Sequence, residues 1–188
     1  SLLINDFLMI RRPSRSTLFP YTTFFRCLAG DGVLVSGSEG VHRMVFDLDA
    51  GTTVASERLI RDTYGYKLKA SRFRDVVYAE LEAGLGLLIR GEDGWEPVQR
   101  IEGIDRRSGP IVEAADGTVW AGTTGGLFYR LRWNEAGALV LDSIVYASLG
   151  VPDGFAWPFE VEHRIVLGTS DGGYRFVDGR VAPDPAFG

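Results

Sequence analysis

Pairs of adjacent apolar residues recur along the chain at a nearly constant interval. The repeated segments read VLVSG, VVYAE, TVWAG and RIVLG. They end at Gly37, Glu80, Gly122 and Gly168, so they lie 43, 42 and 46 residues apart. Adjacent apolar residues that are β-branched or aromatic are typical of strands covered on both faces. Each segment therefore predicts one buried strand of a repeating unit.

Turn signals lie on both sides of these segments. Asp31-Gly32 and Asp116-Gly117 precede two of them, and Asp-Gly favours a tight hairpin because both central residues of that turn need positive φ. Further glycines follow the segments, at Gly40, Gly84, Gly125-Gly126 and Gly172-Gly173. The third repeat reads as four strands, PIVEA, TVWAGT, LFYRLRW and ALVLDSIVY. Four short strands in each repeat predict an all-β fold, a β-propeller of about four four-stranded blades.

Composition narrows the function classes. The single cysteine, Cys27, excludes an internal disulfide, and His42 and His163 have no metal-ligand spacing, so neither a metal nor a cofactor is expected. The net charge of −5 argues against a nucleic-acid partner, and the apolar runs are too short for a membrane span. Three aspartates stand at turn positions, which explains them better than catalysis does: Asp31, Asp116 and Asp171.

The first 26 residues differ from the rest. They carry four arginines against one acidic residue in a chain that is otherwise acidic, and their apolar residues show no periodicity. The stretch FLMIRRPSRSTLFPYTTFFR, residues 7–26, closely resembles the translated read-through of a sequencing adapter. We therefore expect residues 1–26 to be a non-native, disordered artefact, and residues 27–188 to form the propeller.

The stretch ADGTVWAGTTGGLFYRL, residues 115–131, resembles the repeat of two-component regulator propellers, roughly D-x-x-G-x-[LV]-W-x-G-T-x-x-G-L. The residues that match are Trp120, Gly122, Thr123, Gly126 and Leu127. The C-terminal stretch resembles a later blade of that family. The residues that match are Gly168, Thr169, Tyr174, Phe176, Pro183, Asp184 and Phe187. Glu80 stands where the family has glycine.

That resemblance implies a periplasmic sensor region of a bacterial inner-membrane regulator, with the output modules elsewhere in the parent protein. It also implies an incomplete part of a larger propeller, because the repeats account for just under four blades. A complete four-bladed propeller is the alternative. This segment is expected to make no membrane contact of its own.

Two stretches are candidate binding sites. RDTYGYKLKASRFRD, residues 61–75, mixes cations with aromatic residues, a combination suited to an anionic sugar or an acidic segment of a partner. A solvated outer strand is the alternative. DGFAWPFE, residues 153–160, is expected to be a hydrophobic plug between blades, with a ligand platform as the alternative. The candidate ligand-binding residues are Tyr64, Tyr66, Lys67, Arg72, Arg74 and Trp157.

No catalytic residue emerges from the sequence. The leading functional interpretation is a non-catalytic propeller that senses a ligand or partner, such as an oligosaccharide or another extracellular solute. One alternative is a carbohydrate-active propeller enzyme, a lyase or a glycosidase. It predicts paired carboxylates, or a Tyr/His/Arg group, facing the central channel. The other alternative is a passive protein-interaction propeller.

Overall fold

The computed structural model describes residues 26–29, 32–47, 49–92, 94–145, 151 and 154–187, with backbone only at 26–29, 98 and 99. The interpretation of residues 1–26 as an artefact thus falls outside the described residues, apart from the backbone of Arg26. Asp31 of the first Asp-Gly turn also lies outside them. In the described ranges, no helix is long and apolar enough to cross a bilayer.

The described chain forms sixteen strands in four antiparallel sheets, and within each sheet the strands lie side by side in chain order. The first blade contains β1 (Arg26–Ala29), β2 (Gly32–Gly37), β3 (Gly40–Asp47) and β4 (Thr52–Ile60). The second contains β5 (Gly65–Ala70), β6 (Val76–Leu81), β7 (Gly84–Gly91) and β8 (Gly94–Arg100). The third contains β9 (Ser108–Glu113), β10 (Val119–Thr123), β11 (Phe128–Trp133) and β12 (Leu139–Val145). The fourth contains β13 (Trp157–Val161), β14 (Arg164–Thr169), β15 (Gly172–Val177) and β16 (Arg180–Pro183).

This architecture confirms the predicted all-β fold with four four-stranded blades. The repeated apolar segment is the second strand of every blade, namely β2, β6, β10 and β14. Strands β6 and β10 are buried along their whole length, as the adjacent apolar pairs predict. A short meander leaves both faces of each sheet apolar, so every blade needs a neighbour on each side.

Three hydrophobic clusters in the described chain join successive blades. Between the first two blades, Leu34 packs with Val77 and its neighbours, and between the second and third, Tyr78 packs with Ile111. The third cluster includes Trp120, whose ring lies 5.5 Å from that of Phe176 in an edge-on arrangement. Trp120 is only 6% exposed. The prediction that Trp120 fills the space between blades is therefore confirmed.

The first strand of each blade lies on the inside of the arc. Strand β5 contacts β1 and β2 of the preceding blade, and β13 contacts β9, whereas the fourth strands β4 and β8 meet at the outside. Strand β5 is thus an inner strand, and the alternative that residues 61–75 form a solvated outer strand is wrong. Because neighbouring strands are antiparallel, β5, β9 and β13 begin at the end of the blades where β6 and β10 finish. We call this end the upper face.

The repeat glycines allow close contact between backbones. A Cβ on Gly122 would lie 1.9 Å from the carbonyl oxygen of Ala156, and a Cβ on Gly168 would lie 2.9 Å from that of Trp157. The amide of Ala156 in turn donates to the carbonyl of Thr123 over 3.1 Å. The glycines therefore seat the segment that leads into β13 against the third and fourth blades.

The repeat threonines close the turns that follow. Thr123 Oγ1 accepts from the amides of Gly125 and Leu127, and Thr169 Oγ1 accepts from the amide of Asp171 and donates to the carbonyl of Gly172. Gly126 has a φ of +71°, which favours glycine in that turn. Tyr174 packs against the cluster between the third and fourth blades.

Candidate functional site

A cavity of about 300 Å³ opens on the upper face. It lies where β5, β9 and β13 begin and where β6 and β10 end, so the second, third and fourth blades all contribute to it. Its volume is at the lower end of the range for small-molecule sites. The lining residues are Tyr64, Tyr66, Lys67, Glu80, Arg107, Ser108, Gly109, Pro110, Thr123, Thr124, Phe155, Ala156 and Trp157.

One wall of the cavity is a pair of tyrosines. The rings of Tyr64 and Tyr66 have centroids 4.7 Å apart and are tilted by 42°. The guanidinium carbon of Arg107 lies 3.8 Å from the centroid of the Tyr66 ring, within cation–π range. The Tyr66 hydroxyl donates a hydrogen bond to the carboxylate of Glu82. Stacking and hydrogen bonding together fix Tyr66 and, through it, the position of Arg107.

Two exposed aromatic residues from the segment before the fourth blade also line the cavity. Phe155 is 60% exposed and Trp157 is 55% exposed, while Ala156 between them is buried. The prediction of a hydrophobic plug is therefore wrong for these two side chains. The reason lies in the backbone, because the contact of Ala156 with Thr123 and Gly122 turns the small residue inward. Alternation along an extended segment then directs both aromatic neighbours outward.

Glu80 supplies the only carboxyl group among the described residues that line the cavity. It is 7% exposed, and burial raises the pKa of its carboxyl to about 7. The cations Lys67, Arg107 and Lys69, together with a hydrogen bond from the Ile111 backbone, lower that pKa but do not overcome the cost of burial. Near neutral pH the group is therefore present in both protonation states, as a general acid or base requires.

The residue types explain how Glu80 comes to be there. It occupies the position at the end of the second strand where the other repeats have glycine. The equivalent Gly122 has no space for a side chain because the Ala156 carbonyl is so close. Glu80 instead projects into the cavity beside the start of β9. Sequence reasoning missed Glu80, although its departure from the glycine of the repeat was the signal that could have identified it.

The structure brings together four of the six predicted binding residues. Tyr64, Tyr66, Lys67 and Trp157 all line the cavity, although they come from stretches about ninety residues apart in the chain. Their role in binding a ligand remains a prediction. Among the lining residues that the prediction did not include, Glu80, Arg107 and Phe155 carry a charge or an aromatic ring.

Arg72 and Arg74 lie at the other end of β5, in the turn to β6. Arg72 Nη1 is 2.9 Å from the carboxylate of Glu160, and a second guanidinium nitrogen donates to the carbonyl of Glu113. The guanidinium of Arg74 lies 4.5 Å from the ring centroid of Trp133. Neither arginine lines the cavity, and their role in ligand binding stays a prediction.

A buried carboxylate holds that turn in place. Glu113 is 1% exposed and accepts hydrogen bonds from Ser71 Oγ, the Arg72 amide and the Tyr78 hydroxyl, at 2.8, 2.8 and 3.0 Å. Burial, followed by the charge of Glu113, raises the pKa of Tyr78, so the phenol stays protonated. The cluster ties the second blade to the third. With its hydrogen-bonding capacity largely used in this way, Glu113 is a structural group.

The cavity therefore combines a carboxyl that titrates near neutrality, two flanking cations and two aromatic walls. Among the described residues, no group of three or more His, Cys, Asp or Glu side chains is placed to hold a metal ion. The chemistry available from these side chains is proton transfer at Glu80 and stabilisation of negative charge by Lys67 and Arg107.

Comparison with known proteins gives structural matches. No family model and no curated protein matches the sequence. The structure is similar to a Lactobacillus plantarum protein, with a TM-score of 0.54 and 16% identity over 78% of this chain and 50% of that one. It is also similar to a candidate 6-phosphogluconolactonase from Bacteroides uniformis, with a TM-score of 0.60 and 14% identity over 84% of this chain and 51% of that one. The chain spans about half the length of each protein.

These matches correct the leading functional interpretation. They support the β-propeller fold, whereas no family model supports membership of the two-component regulator propellers. The match to a candidate lactonase contradicts the leading interpretation as a sensing module, while whether the chain is catalytic stays a prediction. Of the alternatives that the sequence left open, the carbohydrate-active propeller enzyme fits these findings better.

Proposed function

We propose that this chain is part of a carbohydrate-active propeller enzyme that hydrolyses a sugar lactone, with Glu80 as its general base and acid. One observation carries the proposal, namely the Glu80 carboxyl in the cavity with its pKa raised to about 7. A carboxyl with an ordinary pKa would be a weaker base at neutral pH, because catalytic efficiency is greatest when the pKa is near the working pH.

The reaction uses this group twice. The Glu80 carboxylate takes a proton from water as the water oxygen forms a bond to the lactone carbonyl carbon. The carbonyl oxygen becomes an oxyanion, which Lys67 and Arg107 stabilise by their positive charge. The tetrahedral intermediate then collapses and the bond from the carbonyl carbon to the ring oxygen breaks. The protonated Glu80 returns its proton to that oxygen, and the product is an open-chain sugar acid.

Lactone hydrolysis fits the cavity better than glycoside hydrolysis does. Glycosidases typically need two carboxyl groups on opposite sides of the scissile bond, whereas the described lining contains Glu80 alone. Lactone opening needs one proton-transfer group and a site for the oxyanion. The resemblance to a candidate 6-phosphogluconolactonase supports the same reaction class, at the level of the scaffold.

A pH-stat assay of the purified chain tests the proposal. Glucono-δ-lactone and its 6-phosphate are supplied at neutral pH, and acid release is corrected for spontaneous hydrolysis. We expect saturable release of acid above the uncatalysed rate, with the open-chain sugar acid as the product. Turnover that yields an unsaturated sugar would instead show elimination, and no turnover of either lactone would contradict the proposal.

A further inference from the structure

The aromatic wall formed by Phe155 and Trp157 has no role in the proton transfer described above. Both side chains are more than half exposed at the mouth of the cavity, and neither belongs to the clusters that join the blades. Neighbouring aromatic residues that are exposed beside a cavity typically mark a surface used in binding. We call this pair of side chains the aromatic platform.

The backbone beneath the aromatic platform is held firmly. Ala156 is buried, its amide donates to the Thr123 carbonyl over 3.1 Å, and its carbonyl occupies the space that a side chain on Gly122 would fill. Trp157 pairs with Gly168 at the start of β13, and the following Pro158 is buried. An aromatic side chain on a fixed backbone offers a large contact area at a small cost in conformational entropy.

The two ends of the cavity have different chemistry. Glu80 and Lys67 belong to the second blade, and Arg107 directly precedes the first strand of the third. The aromatic platform belongs to the segment that opens the fourth blade, whereas the two tyrosines belong to the start of the second blade, so the third blade lies between them in chain order. A lactone ring that reacts at Glu80 occupies the polar end. The aromatic platform then faces whatever the substrate carries beyond that ring.

We infer that the substrate is a glycosylated lactone, whose second sugar ring stacks on Trp157 and Phe155. Pyranose rings carry an apolar face of C–H groups, which packs well on an aromatic ring and leaves the hydroxyl groups in water. The inference rests on the proposed lactone hydrolysis for the reacting ring. It adds the class of substrate, an oligosaccharide lactone, and gives Trp157 the main role in selecting it.

The test compares two lactones on three variants. Cellobiono-δ-lactone carries a second pyranose ring and glucono-δ-lactone does not. We expect the wild type to have the higher kcat/KM for the disaccharide, and Trp157→Ala to raise the KM for that substrate about tenfold and the KM for the monosaccharide far less. Trp157→Phe should retain most of the preference. Phe73→Ala is the matched control, since Phe73 is 54% exposed and lies at the other end of β5.

The outcomes separate this inference from the proposed function. If both lactones are hydrolysed with equal efficiency, or if Trp157→Ala affects both equally, the inference is overturned while lactone hydrolysis stands. If neither lactone is hydrolysed, calorimetry with cellobionic acid tests whether the aromatic platform binds a sugar. Binding that is lost in Trp157→Ala and retained in Phe73→Ala supports the aromatic platform as a sugar site. An absence of binding to the wild type overturns it.

Discussion

Replacing Glu80 by glutamine is expected to lower kcat for lactone hydrolysis by about 10²–10⁴-fold, the usual contribution of a general acid or base. Glutamine has nearly the same shape but cannot accept a proton from water at neutral pH. KM should change far less, because the substituted group acts in the transition state and not in ground-state binding. Steady-state kinetics with glucono-δ-lactone, or with the better disaccharide substrate, measure both constants.

The control for this variant is Glu96→Gln. Glu96 lies in the same blade, on the outer strand β8, where its side chain is exposed. This variant should retain the wild-type kcat. Urea unfolding of both variants checks that the fold is intact, and Glu80→Gln should not be less stable, since burial disfavours the charged carboxylate. A kcat within threefold of the wild type in Glu80→Gln would remove Glu80 from the mechanism.

Replacing Trp120 by alanine is expected to lower the free energy of unfolding by about 3–5 kcal/mol, the usual cost of truncating a buried aromatic residue. Trp120 is 6% exposed and belongs to the cluster between the third and fourth blades, with the Phe176 ring against it. Its loss leaves a cavity in the hydrophobic cluster that joins the two sheets. Urea denaturation followed by circular dichroism measures the change.

Trp157→Ala provides a matched comparison, because it is the same substitution at an exposed position. Trp157 is 55% exposed, so truncating it should change the unfolding free energy by about 0.5 kcal/mol or less. A loss below about 1 kcal/mol in Trp120→Ala, or equal losses in the two variants, would contradict the account of how the blades are joined.

Much of the fold could be predicted from the sequence because the propeller is periodic. Each blade is a sheet with two apolar faces that must be buried, and each contains the same buried second strand and the same turn glycines. Trp120 and Gly122 could thus be assigned before the structure was known. What periodicity does not indicate is which strand faces inward. For that reason residues 61–75 were open to interpretation as an outer strand.

The site was predictable only in part. Tyr64, Tyr66, Lys67 and Trp157 stood out by residue type, and the structure places all four at one cavity. Arg72 and Arg74 stood out for the same reason, but β5 runs away from the upper face and carries them to its other end. Composition of a short stretch cannot distinguish the two ends of a strand. The two ends are distinguished only by how the strand pairs with its neighbours in the blade.

Glu80 was missed because its chemistry arises from its surroundings. A glutamate within a strand has an ordinary pKa until the fold buries it, and here burial outweighs three nearby cations. That balance depends on contacts with the third blade, which are distant in sequence. The local signal was a glutamate at a position of the repeat that glycine occupies elsewhere. That departure marks the residue on which the proposed mechanism depends.

The most direct test of the account is a pH titration of the Glu80 carboxyl, followed by the ¹³C chemical shift of its side-chain carbon and assigned with the Glu80→Gln variant. The account predicts a midpoint near pH 7, where burial places the pKa. This titration can be carried out without knowing the substrate. A midpoint near the ordinary value of 4.5 would contradict the proposed role, because the carboxyl would then be fully ionised at neutral pH and could not act as both acid and base.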